Sequence, residues 1–409
     1  MKIVSSRSIG IHRTYSPEMR SSQHNYVTED SCSVHRNSHG ISYCLVALRS
    51  LFLKSHFAPE WWAAVMSDCS QDKLVQYMGI AKSEDWEPTE ITKLGHQYEH
   101  NSKSVKFNTL NLRNLTPNFS VTGNTINQGL IGIKGIGKKA AKKFEGFVDF
   151  VDINDFIDKK GGKDKSALER FIKLGAFRDV PGHGNAKALW DYYKFHYCSG
   201  KDITVLKKTL RSALLEDQGW SEDAIEIERN RQIKEYRKAY PKRNVIPKKL
   251  SNWKPVPDTS VSAFMKLYGD DDFSLDEVLN FEMEYYGYYL NNPLDLYQTK
   301  GGSSIKDVKR VFELETDYKI PPFLEVVVDN VVYDKTKNGN KYCKLYVTDG
   351  IQKALIILWE DFLTSNNRRF LKVGTGIQVH VLYDPERKTF TIPKECSTII
   401  PLIRRDDAA

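Results

Sequence analysis

The spacing of apolar residues divides the chain into a helical centre and a β-rich C-terminal end. From Ser38 apolar residues recur every three to four positions in "SHGISYCLVALRSLFLKSHFAPEWWAAVMSD", which predicts two helices between about 39 and 82. Pro59 lies where the second helix begins. Residues 151 to 198 show the same helical spacing. From Pro321 apolar and polar residues alternate, which is typical of strands.

Turn signals refine this division. Gly123-Asn124 predicts a tight β turn in "FSVTGNTINQ", and Asn338-Gly339 predicts a turn that joins two strands. A further pair of strands is expected between 376 and 392, so the C-terminal end is predicted to be a small antiparallel barrel or sandwich. Residues 1 to 37 lack helical periodicity, and Gly10 interrupts their β-branched residues, which indicates short strands.

Composition narrows the classes of protein. The 409 residues carry a net charge of +8, which favours contact with a polyanion without requiring one. The six cysteines include no CxxC pair, so neither a zinc site nor a disulfide framework is indicated. No apolar run reaches the roughly 18 to 20 residues of a membrane span, and no secretory signal is recognisable. We therefore expect a cytoplasmic protein without membrane contact, and no metal site or cofactor within this chain.

A glycine hairpin, "GLIGIKGIGKKAAKKF", is the strongest local motif. Gly135 and Gly137 permit a tight turn that brings backbone N–H groups close to a phosphate, and a helix is expected to start at Lys138. This is a helix-hairpin-helix signature, although a turn that merely joins two helices is the alternative; the lysines that follow favour phosphate binding. The candidate DNA-binding residues are Lys134, Gly135, Ile136, Gly137, Lys138, Lys139 and Lys142.

Four segments in order resemble motifs of the C-family DNA polymerase III alpha subunit. They are the fingers-like "SHGISYCLVALRSLFLKSHFAPEWWAAVMSD", the hairpin in "NFSVTGNTINQGLIGIKGIGKKA", "ALERFIKLGAFRDV" and "FEMEYYGYYLNNPLDLY". Together they cover about 38 to 300. Asn292 stands where the family usually has histidine.

The resemblance implies a multidomain α+β chain: a short β-rich intein piece, a helical fingers and helix-hairpin-helix region, and a C-terminal OB-fold β-barrel. OB surfaces bind single strands through aromatic and basic side chains, which makes Lys335, Lys341 and Tyr342 candidates beside the alternative of solvated charges on a strand. The expected domains are 1–37 (intein piece), 38–100 (end of the fingers), 101–200 (helix-hairpin-helix duplex-binding region), 201–258 (basic helical insertion or linker), 259–318 (helical connector) and 319–402 (OB fold).

The family's catalytic metal site is expected to lie in another chain. Its phosphoryl transfer depends on palm aspartates that hold two Mg²⁺ ions, and these lie upstream of the fingers segment. The resemblance therefore implies two partners, primer–template DNA and an N-terminal polymerase chain whose palm binds Mg²⁺. Binding to a sliding clamp is a weaker expectation, because "SVSAFMKLYG" lies near the family's clamp peptide but lacks its glutamine.

Residues 1 to 37 resemble the C-terminal piece of a split intein, with "KIV", "GIHRTYS", "QHNYV" and an Asn37-Ser38 junction. In such pieces the Ser38 hydroxyl would attack the upstream (thio)ester, and the Asn37 amide would then cyclise and cut the bond after it. His24 and His35 are the candidate proton carriers. Arg36 departs from the family, which usually has histidine before the terminal asparagine.

These features lead to one principal hypothesis and two alternatives. The principal hypothesis is the C-terminal part of a replicative DNA polymerase that is joined by trans-splicing to, or assembles with, a palm-containing N-terminal chain carrying the N-terminal intein half. The first alternative is a stand-alone DNA-binding accessory protein with a degenerate intein remnant. The second is an RNA-binding or repair scaffold that uses the same hairpin and OB fold.

Overall fold

The computed structural model describes residues 25–27, 34–36, 38–83, 105–145, 149–159, 164–313, 321–396 and 398–406. In these ranges the chain is mixed α+β, with most helices before residue 313 and a large sheet after residue 321. The mixed fold class predicted from the sequence is confirmed at this level.

The helices follow the apolar periodicity closely. They are α1 (Ser38–His56), α2 (Ala58–Asp68), α3 (Gln71–Ser83), α4 (Lys138–Phe144), α5 (Ile153–Lys159), α6 (Lys165–Lys173), α7 (Ala186–Tyr197), α8 (Lys201–Asp217), α9 (Glu222–Ala239), α10 (Lys248–Ser251), α11 (Val261–Tyr268), α12 (Leu275–Tyr285), α13 (Ile305–Glu313) and α14 (Ser365–Arg368). Three helices occupy 38–83 where two were predicted, because the backbone of Cys69 is extended and ends α2 before α3 begins.

Two small β elements accompany the helices. β1 (Asn25–Val27) and β2 (Val34–Arg36) form an antiparallel pair. β3 (Lys106–Asn108), β4 (Ser120–Thr122) and β5 (Thr125–Asn127) form a sheet in which β5 is central. The predicted turn at Gly123 and Asn124 joins β4 to β5, and Gly123 has a φ of 61°, a conformation that favours glycine.

One hydrophobic core joins the helical part of the chain from Ala58 to Tyr288. It includes side chains from α2 and α3, from the hairpin region, and from α11 and α12. The core therefore crosses the expected boundaries at 100, 200 and 258. The domain limits themselves stay predictions.

The C-terminal sheet has seven strands in the order β10-β11-β8-β7-β6-β9-β12. They are β6 (Phe323–Lys335), β7 (Lys341–Thr348), β8 (Lys353–Trp359), β9 (Gly376–His380), β10 (Leu382–Asp384), β11 (Thr389–Thr391) and β12 (Ile400–Pro401). The turn at Asn338-Gly339 joins β6 to β7 as predicted, with Gly339 at a φ of 85°.

The sheet curls into a half-barrel, and β6 changes its partner strand along its length. Its first half pairs with β9 and its second half with β7, and the register shifts between Val328 and Asn330. Such a bulge bends a strand. The prediction of an OB barrel is confirmed only in part. The half-barrel is compatible with an OB-like domain, but within the described ranges no pairing joins the edge strands β10 and β12.

Candidate nucleic-acid interface

The glycine hairpin is a compact turn held by two buried isoleucines. Ile133 and Ile136 are 1% and 5% exposed, and the Ile136 N–H donates to the Ile133 carbonyl at 3.0 Å. Gly135 has a φ of 81°, and α4 begins at Lys138 as predicted. The isoleucines therefore anchor the turn while the glycines stay at the surface.

Backbone N–H groups of this turn are available to a ligand. Among the described residues, no protein acceptor takes the N–H of Gly135, Gly137 or Lys138. Both glycines are exposed, and apart from Gly137 and its two chain neighbours no atom of the described residues lies within 4 Å of the position that a Cβ on Gly137 would take. A phosphate can therefore approach these donors closely.

The lysines of the hairpin divide into two groups. Lys139, Lys142 and Lys143 are exposed and make no ion pair with any described residue, and Lys138 makes a largely exposed pair with Asp68 at 3.2 Å. The Lys134 ammonium instead donates to the Met283 carbonyl at 2.9 Å. Lys134 thus braces the hairpin against another segment, a role that its position in the motif did not reveal.

That second segment, 283–288, belongs to the polymerase-like motif "FEMEYYGYYLNN". The Lys134 N–H donates to the Tyr285 carbonyl at 2.7 Å, and the buried Tyr288 hydroxyl donates to Gln128 at 2.7 Å. Gly287 has a φ of 86°, and a Cβ there would lie 2.7 Å from Lys134 Cε. Two motifs about 150 residues apart in sequence therefore form one structural unit.

Arg170 is a cation near the hairpin that sequence reasoning missed. Its guanidinium nitrogens lie 3.2 Å from the position that a Cβ on Gly135 would take, and its side chain is half-buried. The residue lies in the "ALERFIKLGAF" motif, on α6. The only sequence signal was its place in that motif, because the contact with Gly135 spans 35 residues.

Hydrogen bonds from Lys82 and to Glu282 hold the segment after α12, which links it to α3. Glu282 is 2% exposed and accepts hydrogen bonds from the N–H groups of Leu290 and Asn291. The Lys82 ammonium donates to the carbonyls of Tyr289 and Leu290 at 2.6 and 3.2 Å. Burial raises the pKa of Glu282, and burial lowers the pKa of Lys82 to about 8, opposed by the charge of Glu282.

We expect Lys82 to make stability rise with pH in the alkaline range. Its folded-state pKa of about 8 lies below the ordinary value of 10.5, so between these values the unfolded state binds more protons. The free energy of unfolding should therefore rise across this window, by about 3 kcal/mol from Lys82 alone. Urea unfolding at a series of pH values measures the rise. Lys82→Met should remove the rise in the free energy of unfolding with pH. Lys73→Met, on the exposed side of α3, should retain this rise. Equal slopes of the free energy of unfolding against pH in both variants would contradict the assignment to Lys82.

The C-terminal candidates do not share one face. Lys335 and Lys341 are paired opposite one another at the β6–β7 turn, and Tyr342, the next residue, points to the other face because side chains alternate along a strand. Lys341 pairs with Glu360 at 3.6 Å, and the Tyr342 hydroxyl donates to Asp334 at 3.0 Å. The face with Tyr342 also carries the Trp359 ring, 5.6 Å away. The structure thus places Lys335 and Lys341 on one face and Tyr342 on the other, and the DNA-binding role of all three stays a prediction.

Comparison with known proteins supports part of the polymerase resemblance. No family model matches the chain. The DNA polymerase III subunit alpha of Treponema pallidum (strain Nichols) is 30% identical over 151 residues, which cover 34% of this chain and 11% of that protein. Part of this chain is DNA polymerase III alpha-like. The chain spans a small share of that relative's length, so the activity and partners of a whole polymerase are proposals here.

The splicing candidates lie mostly outside the described residues. His24 and Asn37 are not described, and of His35 and Ser38 only the backbone is described, in β2 and at the start of α1. The intein-like piece therefore stays a prediction.

The segment near the expected clamp peptide forms α11. Phe264 in this helix is fully buried in the main core and lies 5.5 Å from the Tyr192 ring. A clamp bound through Phe264 would require α11 to leave the core. Clamp binding stays a prediction.

Neither a metal-binding cluster nor a membrane-spanning helix occurs among the described residues. In these ranges no group of three or more His, Cys, Asp or Glu side chains is arranged to hold a metal ion. No helix in the same ranges is both long and apolar enough to cross a membrane.

Proposed function

We propose that this chain is the C-terminal part of a replicative DNA polymerase and binds primer–template DNA through the glycine hairpin. The observation that carries the proposal is the set of N–H groups at Gly135, Gly137 and Lys138 that no described residue accepts, followed directly by exposed lysines. Such a surface binds phosphates without reading bases. The similarity of part of the chain to DNA polymerase III alpha supports the polymerase context.

Helix α1 supports assembly with another polypeptide. Seven of its large apolar side chains are between 47% and 71% exposed, and they surround the helix instead of forming one stripe. A helix that is apolar all round is normally buried. We propose that the palm-containing N-terminal chain covers it and that the palm aspartates of that chain hold the catalytic Mg²⁺.

Trans-splicing would join the two chains. β1 and β2 support this because Asn25 pairs with Arg36 and Tyr26 with His35. In the sequence, His24, the proposed proton carrier, precedes Asn25. Asn37, the proposed cyclising residue, follows Arg36. The β1–β2 pair thus draws together the two chain segments that lead to them.

Splicing is tested by coexpression with a chain that ends in an N-terminal intein half. Intact mass spectrometry should show residues 1–37 released and a ligated polymerase formed. Ser38→Ala should abolish ligation because it removes the nucleophile, and Asn37→Ala should prevent release because it removes the cyclising amide. Arg36→His should accelerate release by supplying the proton donor typical of the family.

The same samples separate the proposal from its rival. A chain that stays at 47.0 kDa in every coexpression and binds duplex DNA alone would favour the stand-alone accessory protein. In the proposed arrangement the isolated chain binds the duplex without extending a primer, and extension requires the partner and Mg²⁺.

A further inference from the structure

A helical arm leaves the main core after α8 and returns before α11. We define this arm as residues 219–257. Its base is closed by two reciprocal hydrogen bonds: the Gln218 amide donates to the Asp258 carbonyl at 3.0 Å, and the Asp258 N–H donates to Gln218 Oε1 at 2.9 Å. Helix α9 within the arm has no buried residue, so most of the arm is held away from the core.

Charge is segregated along the arm. Up to Glu235 acidic and basic residues are mixed, and Arg231 is paired with both Glu228 and Glu235. From Tyr236 to Pro257 there is no acidic residue. Seven cations lie in that interval, all of them exposed and none in an ion pair with a described residue: Arg237, Lys238, Lys242, Arg243, Lys248, Lys249 and Lys254.

The basic end is structured. The Trp220 and Trp253 rings meet edge to face with centroids 5.8 Å apart, and Arg229 Nε donates to the Trp253 carbonyl at 3.2 Å. These contacts hold the returning segment against the start of the arm. The guanidinium of Arg243 lies 5.0 Å from the centre of the Tyr240 ring. The cations are therefore presented from a folded scaffold, which reduces the entropy lost on binding.

We propose that this basic end is a second DNA-binding site, which contacts the phosphate backbone of the duplex beyond the part held by the glycine hairpin. Unpaired cations concentrated in 22 residues without a carboxylate match a polyphosphate strand, because each neutralised phosphate releases counterions. The proposal rests on the proposed function, since the hairpin and the arm would bind one duplex.

The test compares three triple variants of the full chain. Lys242→Gln, Lys248→Gln and Lys249→Gln neutralise the arm. The matched control, Lys372→Gln, Lys388→Gln and Lys394→Gln, removes the same charge from exposed positions in the C-terminal half-barrel region. Lys138→Gln, Lys139→Gln and Lys142→Gln neutralise the hairpin. Circular dichroism should show the same fold for all three, because every altered side chain is exposed.

Binding to a fluorescent duplex of about 30 base pairs is measured by anisotropy at several salt concentrations. We expect the arm variant to bind at least about tenfold more weakly and to lower the slope of log K against log salt by about two to three, while the control keeps the wild-type affinity and slope. The arm proposal is overturned if the arm variant matches the control.

The remaining outcomes separate the two sites. If the hairpin variant alone loses affinity, the proposed function stands and the arm proposal falls. If the wild-type chain binds no duplex, both fall. If the arm variant keeps DNA binding but loses binding to vesicles containing phosphatidylserine, the arm is a lipid-binding surface and the proposal is overturned.

Discussion

Replacing Lys138, Lys139 and Lys142 with glutamine should weaken duplex binding roughly 100-fold at physiological salt. Each of the three lysines is exposed on α4, next to the N–H groups of Gly135 and Gly137, for which the described part of the chain offers no acceptor. If each lysine neutralises one phosphate, the loss of three contacts lowers the affinity for duplex DNA by about two orders of magnitude through counterion release. The slope of log K against log salt then falls in magnitude by about 2.7.

The loss should be independent of DNA sequence, because backbone contacts carry no base information. Titrations with two duplexes of unrelated sequence, each measured from low to high salt, check this point. The Lys372, Lys388 and Lys394 glutamine variant is the charge-matched control. A hairpin variant with wild-type affinity and salt slope would remove the hairpin from the interface and leave the glycines as a connection between helices.

Replacing Gly129 with alanine should destabilise the part of the core that supports the hairpin. Gly129 precedes the helical turn Leu130–Gly132, and a Cβ at this position would lie 2.5 Å from the Phe119 nitrogen and 2.6 Å from the Asn118 carbonyl oxygen. Both obstacles are backbone atoms, so neither can move aside as a flexible side chain does. Neighbouring hydrogen bonds, from Leu130 to the Thr116 carbonyl and from Ile131 to the Pro117 carbonyl, hold the two segments together.

We expect Gly129→Ala to cost about 3 kcal/mol, which lowers the melting temperature by roughly 6 to 12 °C. Thermal unfolding followed by circular dichroism measures the shift. Gly184→Ala is the control: that glycine also has a negative φ, and in the described ranges no atom beyond its chain neighbours lies within 4 Å of the position that a Cβ would take. Equal melting temperatures for the two variants would show that the 116–119 segment can retreat from the turn.

Local patterns in the sequence account for the hairpin better than for the surface around it. Ile133 and Ile136 are buried and α4 starts at Lys138, as the motif predicted. The motif did not reveal the role of Lys134, whose exposed side chain donates through its ammonium to the Met283 carbonyl. Arg170 entered the site only through the packing of α6 against the turn.

In the C-terminal sheet, too, the sequence predicts local features but not the contacts between distant segments. Alternation and the Asn338-Gly339 turn predicted β6 and β7, because strand period and turn chemistry are local properties. The curl of the sheet depends on β6 pairing with both β7 and β9, which requires contacts across about 50 residues. Closure also depends on pairing between distant strands, and among the described residues no pairing joins β10 to β12.

The α+β composition, the glycine hairpin, its lysines and the acid-free stretch of the arm can be predicted from the amino-acid sequence, since all of these depend on neighbouring residues. Which groups meet depends on tertiary packing: Lys134 with Met283, Arg170 with Gly135, Lys82 with the carbonyls after Glu282, and Gln218 with Asp258. These contacts join residues from about 35 to more than 200 positions apart. Local spacing carries no information on such pairs, because they depend on how the whole core packs.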